Sequence, residues 1–140
     1  MVKITVQDVE SEVSRFWNVF SSKAPELLEE FYAPDATVFS STATRTEPGR
    51  LAVTRRRREY FNKQNVVRVV LGHIDVQLIG EMAAVASYPF KFHATQVVAG
   101  IGKTVEETLD HGRATQVFVL DSEGKLRILH EHLSSPFNHA

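Results

Sequence analysis

Residues 128 to 135 read ILHEHLSS and set two histidines one residue apart at the end of an apolar run. On a strand, side chains two positions apart point to the same face, so His130 and His132 have the spacing of a metal-ligating pair. A third ligand would have to come from elsewhere, with His73 and His111 as the candidates. The same spacing also arises when a strand carries one polar stripe whose imidazoles hydrogen-bond across strands or across a subunit boundary. Alternation puts Leu126, Ile128, His130 and His132 on one face, and Arg127, Leu129, Glu131 and Leu133 on the other. The histidines thus share their face with apolar side chains, and the structural reading is adopted: no metal and no other cofactor is expected.

A second candidate is the run TRRRREYF, with arginines at four consecutive positions, 55 to 58. Nothing elsewhere supports a nucleic-acid surface, because there is no second basic stripe and no interleaving of aromatics with cations. On a helix whose inward stripe is set by Val53, Tyr60 and Phe61, Arg57 falls on that stripe and the other three point toward solvent. A buried guanidinium must reach outward, pair with a carboxylate such as Glu131, or meet an acidic ligand shared with Gln116. Around it stand aromatic residues on helix or strand faces that could line a cavity: Trp17, Tyr32, Phe39, Tyr60, Tyr88, Phe90, Phe92 and Phe118. Aromatics with a few polar tips build small-molecule pockets, and they also build ordinary cores. Among the acids, Asp75 and Glu131 fall on strands, whereas Asp35 follows Pro34 as a turn residue.

The elements that must position these residues follow from periodicity. Val9, Val13, Phe16, Trp17 and Phe20 recur at helical spacing, with Thr5 and Asp8 placed as a capping pair, so a helix is expected from about 7 to 22. Pro25 and the acids of PELLEEFY start a short second helix that stops at APDA. ATVFS is a short strand, STATRTEPG a polar loop, and a third helix is expected from about Pro48 to Lys63. Thereafter the chain reads as strands: VVRVVLGHIDVQLI with a bulge at Gly72, MAAVASYPFKFHATQVV in which Pro89 demands an edge or a bulge, then LDHGRATQVFVLD and LRILHEHLSS joined by SEGK. Helices followed by meandering strands give an α+β class in one domain, residues 1–140.

Composition sets outer bounds. The 140 residues are 43% hydrophobic and 24% charged with a formal net charge of -1, which fits a globular domain with no field to attract nucleic acid or membrane. The absence of cysteine excludes disulfides, thiolate catalysis and cysteine-based zinc sites. MVKITVQDVESEV has no apolar signal core, and no run approaches membrane-spanning length, so a cytoplasmic location is expected.

The order of elements resembles the nuclear transport factor 2-like cone fold. FYAPDATVF resembles the end of the family's second helix and its first strand, HIDVQLIGEMAAVASY its long hairpin, and GRATQVFVLDSEGKLRILHEHLSS its final hairpin. The His-x-His-x-Ser ending is similar to that of SnoaL-like members and of the association domain of calcium/calmodulin-dependent kinase II. The resemblance implies a cone-shaped roll, with three helices from the N-terminal half packed on a strongly curved, mostly antiparallel sheet and a pocket at the open mouth. It also implies a homodimer through the outer sheet face, with the histidines on that face. It does not carry over the chemistry of ketosteroid isomerase, because Ser40, Phe16 and Gln116 stand where that enzyme's base, tyrosine and second acid are expected. Where the kinase association domain has pocket arginines, this chain has Phe90, Gln116 and Leu133, so its pocket should be more apolar. The expected lining is Trp17, Tyr32, Ser40, Arg57, Tyr60, Tyr88, Phe90, Gln116, Phe118 and Glu131, receiving a small apolar or weakly acidic ligand. The alternative is a cofactor-independent enzyme, a polyketide cyclase, isomerase or dehydratase, working by general acid/base chemistry.

Overall fold

The computed structural model describes residues 3–22, 25–39, 47–52, 55, 66–98 and 104–134, without the side chains of 25, 47, 48, 66, 67, 94–98 and 104–110. Helix α1 (Val6–Ser21) begins with a reciprocal capping box: the Asp8 amide donates to Thr5 Oγ1 at 3.2 Å, and the Thr5 amide donates to the Asp8 carboxylate at 3.2 Å. Its buried stripe is Val9, Val13, Phe16, Trp17 and Phe20, the spacing read from the sequence. Each such side chain contributes about 2 kcal/mol when fully buried. The second helix is short, α2 (Pro25–Leu28), and tightens into a 3-10 turn (Glu29–Phe31). The third helix is represented by residues 50–52 and 55, which are helical; Arg55 is exposed as expected, and Arg56, Arg57 and Arg58 lie outside the described residues.

Among the described residues seven strands follow or interleave: β1 (Tyr32–Phe39), β2 (Glu47–Pro48), β3 (Val66–Leu71), β4 (Asp75–Ile79), β5 (Ala83–Val98), β6 (Thr104–Leu120) and β7 (Leu126–Ser134). They form one sheet in the order β2-β1-β7-β6-β5-β3, with β4 also paired to β5. All pairs are antiparallel except β1 with β7, which run parallel. The fold is therefore α+β with a mostly antiparallel sheet, and α1 lies against β3, β4 and β5.

Several elements differ from the sequence expectation. β1 begins at Tyr32 rather than after the APDA turn, so Asp35 lies in an irregular stretch of strand, and β2 falls in the segment read as loop. The run 66–79 is not one bulged strand but two, β3 and β4, interrupted at Gly72, His73 and Ile74. Pro89 explains the interruption. Its carbonyl accepts from the Gly72 amide at 2.8 Å, and in an antiparallel strand a residue's nitrogen faces the same neighbour as its carbonyl. The missing Pro89 N–H thus points at the gap between β3 and β4, where no ladder bond is forfeited. Gly72 is required there, since a Cβ would sit 2.7 Å from the Pro89 ring.

The last strand corrects the face assignment. β6 and β7 change register between Val117 and Phe118, whose partners are His130 and Ile128, so Leu129 is the extra residue of a bulge. Alternation breaks at that point. Leu126 and Ile128 are buried, and Glu131, not His130, continues on their side. Leu126 and Ile128 therefore do not share a face with His130 and His132.

Candidate functional site

The inner face of the sheet meets α1. Along β5 it carries Ala84, Ala86, Tyr88, Phe90 and Phe92, and across from them on β6 are Phe118, Gln116, Ala114 and Gly112. On β7, Glu131 is paired with Gln116, and Leu133 with Ala114. Phe16 lies edge-on to Phe31 at 5.4 Å and to Tyr32 at 6.0 Å, which closes one end together with the buried Phe118 and Ile128. Toward the other end Phe90, Phe92, Leu71 and Leu133 are only half-buried. Phe90 lies over the β6 backbone, because Gly112 has no side chain; a Cβ there would come within 2.2 Å of the ring. The same ring lies 4.9 Å from that of Trp17.

Between these ends runs a chain of hydrogen bonds inside the apolar interior. Trp17 Nε1 donates to the Tyr88 hydroxyl at 2.7 Å, Tyr88 donates to Gln116 Oε1 at 2.6 Å, and Gln116 Nε2 donates to Glu131 Oε2 at 2.7 Å. Tyr32 donates to the same carboxylate, 3.1 Å from each oxygen. Trp17 and Tyr88 are 3% exposed, and Tyr32, Gln116 and Glu131 are fully buried. The direction of the chain is fixed by its indole end. An indole N–H can only donate, so Tyr88 accepts from it and sends its own proton onward to Gln116 Oε1, which leaves the Gln116 amide nitrogen to face Glu131. Tyr88 sits between two partners, so its loss would take away both the acceptor of the Trp17 N–H and the donor to Gln116 Oε1.

Of the residues expected to line the pocket, Trp17, Tyr32, Tyr88, Gln116 and Glu131 are thus joined in one network, with Phe90 beside Trp17 and Phe118 in the closed end. Ser40, Arg57 and Tyr60 lie outside the described residues, and with them the proposed pairing of Arg57. The connection between Trp17 and Tyr88, 71 residues apart, has no sequence signal beyond both lying on inward stripes.

The histidines occupy the outer face. His130 Nδ1 is 2.8 Å from Thr37 Oγ1, and the His132 ring stacks on Phe39 with centroids 5.2 Å apart. Both partners come from β1, so the imidazoles bind strand to strand. Phe39, grouped by sequence with possible cavity-lining aromatics, belongs to this outer stack. His73 and Asp75 form an exposed pair at 3.2 Å, His111 is exposed on β6, and no three His, Asp or Glu side chains among the described residues converge as a metal site. Among the described residues no helix is long and apolar enough to cross a membrane.

Comparison with solved structures gives the fold independently. A nuclear transport factor 2-like protein of Streptomyces avermitilis, provisionally named a dehydratase, superposes with a TM-score of 0.82 at 14% identity, over 95% of this chain and 97% of that one. A protein of Novosphingobium aromaticivorans, provisionally named a scytalone dehydratase, gives 0.81 at 12% identity over 96% and 87%. The association domain of the C. elegans calcium/calmodulin-dependent kinase II gives 0.71 at 22% identity over 92% and 94%. At these identities the likeness is one of fold. A comparison with the curated proteins finds no match. The SnoaL-like domain model matches residues 9–138, nearly the whole length, and the chain belongs to the SnoaL-like domain family.

Proposed function

We propose that this domain binds a small, largely apolar molecule on the inner face of the sheet, against Trp17, Tyr88 and Phe90, with Gln116 and Glu131 as its polar anchors. The observation that carries this reading is the directed chain from Trp17 to Glu131. Such a network fixes the rotamers of the groups that would meet a ligand, and it does so next to the half-buried Phe90 and Phe92. Trp17 is the sole tryptophan, so its fluorescence reports on the site directly. Titration with a bicyclic compound such as 2-tetralone should change that fluorescence saturably, with one site per chain. Unchanged emission together with no heat in calorimetry would sink the reading.

One observation favours the enzymatic alternative. Glu131 is a buried carboxylate in contact with a phenol, Tyr32, and dehydration needs a base for one proton and a donor for the departing oxygen. Two of the structurally similar proteins carry provisional dehydratase names. Conversion of a β-hydroxy ketone to the enone, abolished in Glu131→Gln, would support it; wild-type turnover in that variant would exclude this assignment.

Self-association belongs to the outer face. Val85, Thr115, Val117 and Val119 are half-buried there, in register with the His130 and His132 stripe. A second copy of the chain would cover them. Sedimentation at low concentration should show a dimer that weakens in His132→Ala, and an unchanged equilibrium would count against that face.

A further inference from the structure

Outside the end closed by Phe16, Phe31 and Tyr32, the polar side of α1 faces the turn between β6 and β7 across a groove of about 730 Å³. Asp8, Ser11, Glu12 and Arg15, at helical spacing, form one wall, and Lys125, Leu126 and Arg127 form the other. Small-molecule sites occupy about 300–1,000 Å³, so the groove has room for one. Three arginines from three elements meet there around a single turn, Glu29–Phe31. Arg50, which opens the third helix, has its Nε 3.7 Å from the Glu29 carboxylate. Arg127 of β7 donates through Nη1 to the Glu30 carbonyl and through Nε to Asp121 at 3.0 Å. The Arg15 guanidinium of α1 lies 4.2 Å over the Phe31 ring and donates through Nη2 to Glu12 at 2.6 Å.

We infer that this groove is a second binding site, separate from the inner-face pocket and independent of it, for the phosphate monoester of a small hydroxylated molecule. Arg15, Arg50 and Arg127 meet the phosphate, and Glu30 meets a hydroxyl. A guanidinium carries more N–H donors than the named contacts of Arg15 and Arg127 use, so both keep planar edges for a further acceptor. The Phe31 ring under one and the Glu30 carbonyl beside the other hold those planes in place before a ligand arrives, which lowers the ordering cost of binding. Phosphate oxygens accept from such edges in pairs. Of the carboxylates in the groove, Asp8 is engaged by the Thr5 cap and Glu12 by Arg15, whereas the Glu30 side chain has no partner among the described residues. A free carboxylate repels a bare anion and accepts from a hydroxyl, so a hydroxylated ester suits this groove better than phosphate alone.

The test is calorimetry of the full chain in a phosphate-free buffer with glucose 6-phosphate, glucose and inorganic phosphate. Glucose 6-phosphate should bind at one site per chain, about tenfold or more tightly than either of the others. Arg127→Lys keeps the charge but loses the planar edge and should weaken that binding about fivefold or more; Arg15→Gln, a change at an exposed side chain, should do the same. Lys91→Gln removes an exposed cation of β5 that is not in the groove and should leave the affinity unchanged. A second measurement needs no variant: in the NMR spectrum of the wild type, glucose 6-phosphate should shift the backbone amides of Glu30, Phe31 and Lys125 and leave those of Phe90 and Gly112 in place. No binding of glucose 6-phosphate would overturn the site, as would undiminished affinity in both arginine variants or an equal loss in Lys91→Gln. Shifts confined to Phe90 and Gly112 would put the ester on the inner face and overturn it too. Inorganic phosphate bound as tightly as the ester would overturn the hydroxylated class, and glucose bound as tightly would overturn the role of the arginines.

Discussion

Glu131 and its two neighbours in sequence, His130 and His132, occupy one strand and have opposite environments. Glu131 faces the interior, has no solvent exposure and accepts bonds from Gln116 and Tyr32. The histidines face outward, where the half-buried His130 meets Thr37 and the exposed His132 lies against Phe39. Both sides are polar and both are partnered, so polarity alone does not mark the candidate site. Burial makes the difference. On the outer face a broken contact can be replaced by water, whereas inside the sheet a polar atom that loses its partner keeps the full desolvation cost.

The largest effect should follow from removing the buried end of this comparison. Glu131→Ala removes the acceptor of the Gln116 amide and of the Tyr32 hydroxyl and opens a cavity, at a cost of about 3 kcal/mol measured as a lower urea midpoint. Glu131→Leu with Tyr32→Phe removes acceptor and donor together and should cost less than the sum of the two single changes. Strict additivity would mean that Tyr32 and Glu131 are not coupled as drawn. Next in size is Tyr88→Phe, which orphans both the Trp17 N–H and Gln116 Oε1 and should destabilise by about 1 to 2 kcal/mol. A variant as stable as wild type would show that the indole and the amide find other partners.

The helical stripe of α1, the capping pair at Thr5 and Asp8 and the positions of the long strands were legible from periodicity, because each depends on residues close in sequence. So were the five members of the hydrogen-bonded chain, each as a residue on an inward face. Their joining was not, since it depends on bringing residue 17 to residue 88 and residue 32 to residue 131. The bulge at Leu129 was also invisible: ILHEHL alternates smoothly as text, and only the register of β6 against β7 shows that one residue is extra. Pro89 and Gly72 show the reverse case. A proline inside a strand forces an irregularity opposite it, so the break between β3 and β4 had a local signal even though its form did not.

On the outer face the expected losses are smaller. His130→Ala removes the contact with Thr37, and His132→Ala the stack on Phe39, and each should lower the stability of the isolated chain by less than about 1 kcal/mol. A loss in His130→Ala as large as that of Glu131→Ala would erase the contrast between the two faces.

The smallest effect tests the comparison by acid. Asp121, in the turn before β7, accepts from the Lys125 amide at 2.9 Å and the Glu123 amide at 2.8 Å, while its second oxygen meets Arg127 Nε at 3.0 Å. The Lys125 amide, with the Arg127 side chain and the Glu123 amide, holds its carboxyl below the ordinary 3.8, outweighing a burial contribution of opposite sign. A carboxyl that binds its proton less readily in the folded chain than in the unfolded one stabilises the fold above its ordinary value, and this contribution is lost as pH falls through the lower, folded value. In Asp121→Asn the amide oxygen can still accept from the turn, but the charge facing Arg127 is gone. Wild type should therefore be slightly more stable than Asp121→Asn at neutral pH, and the two denaturation midpoints should converge as the pH drops below about 4. A gap that stays constant with pH would show that the turn uses the shape of this side chain and not its charge.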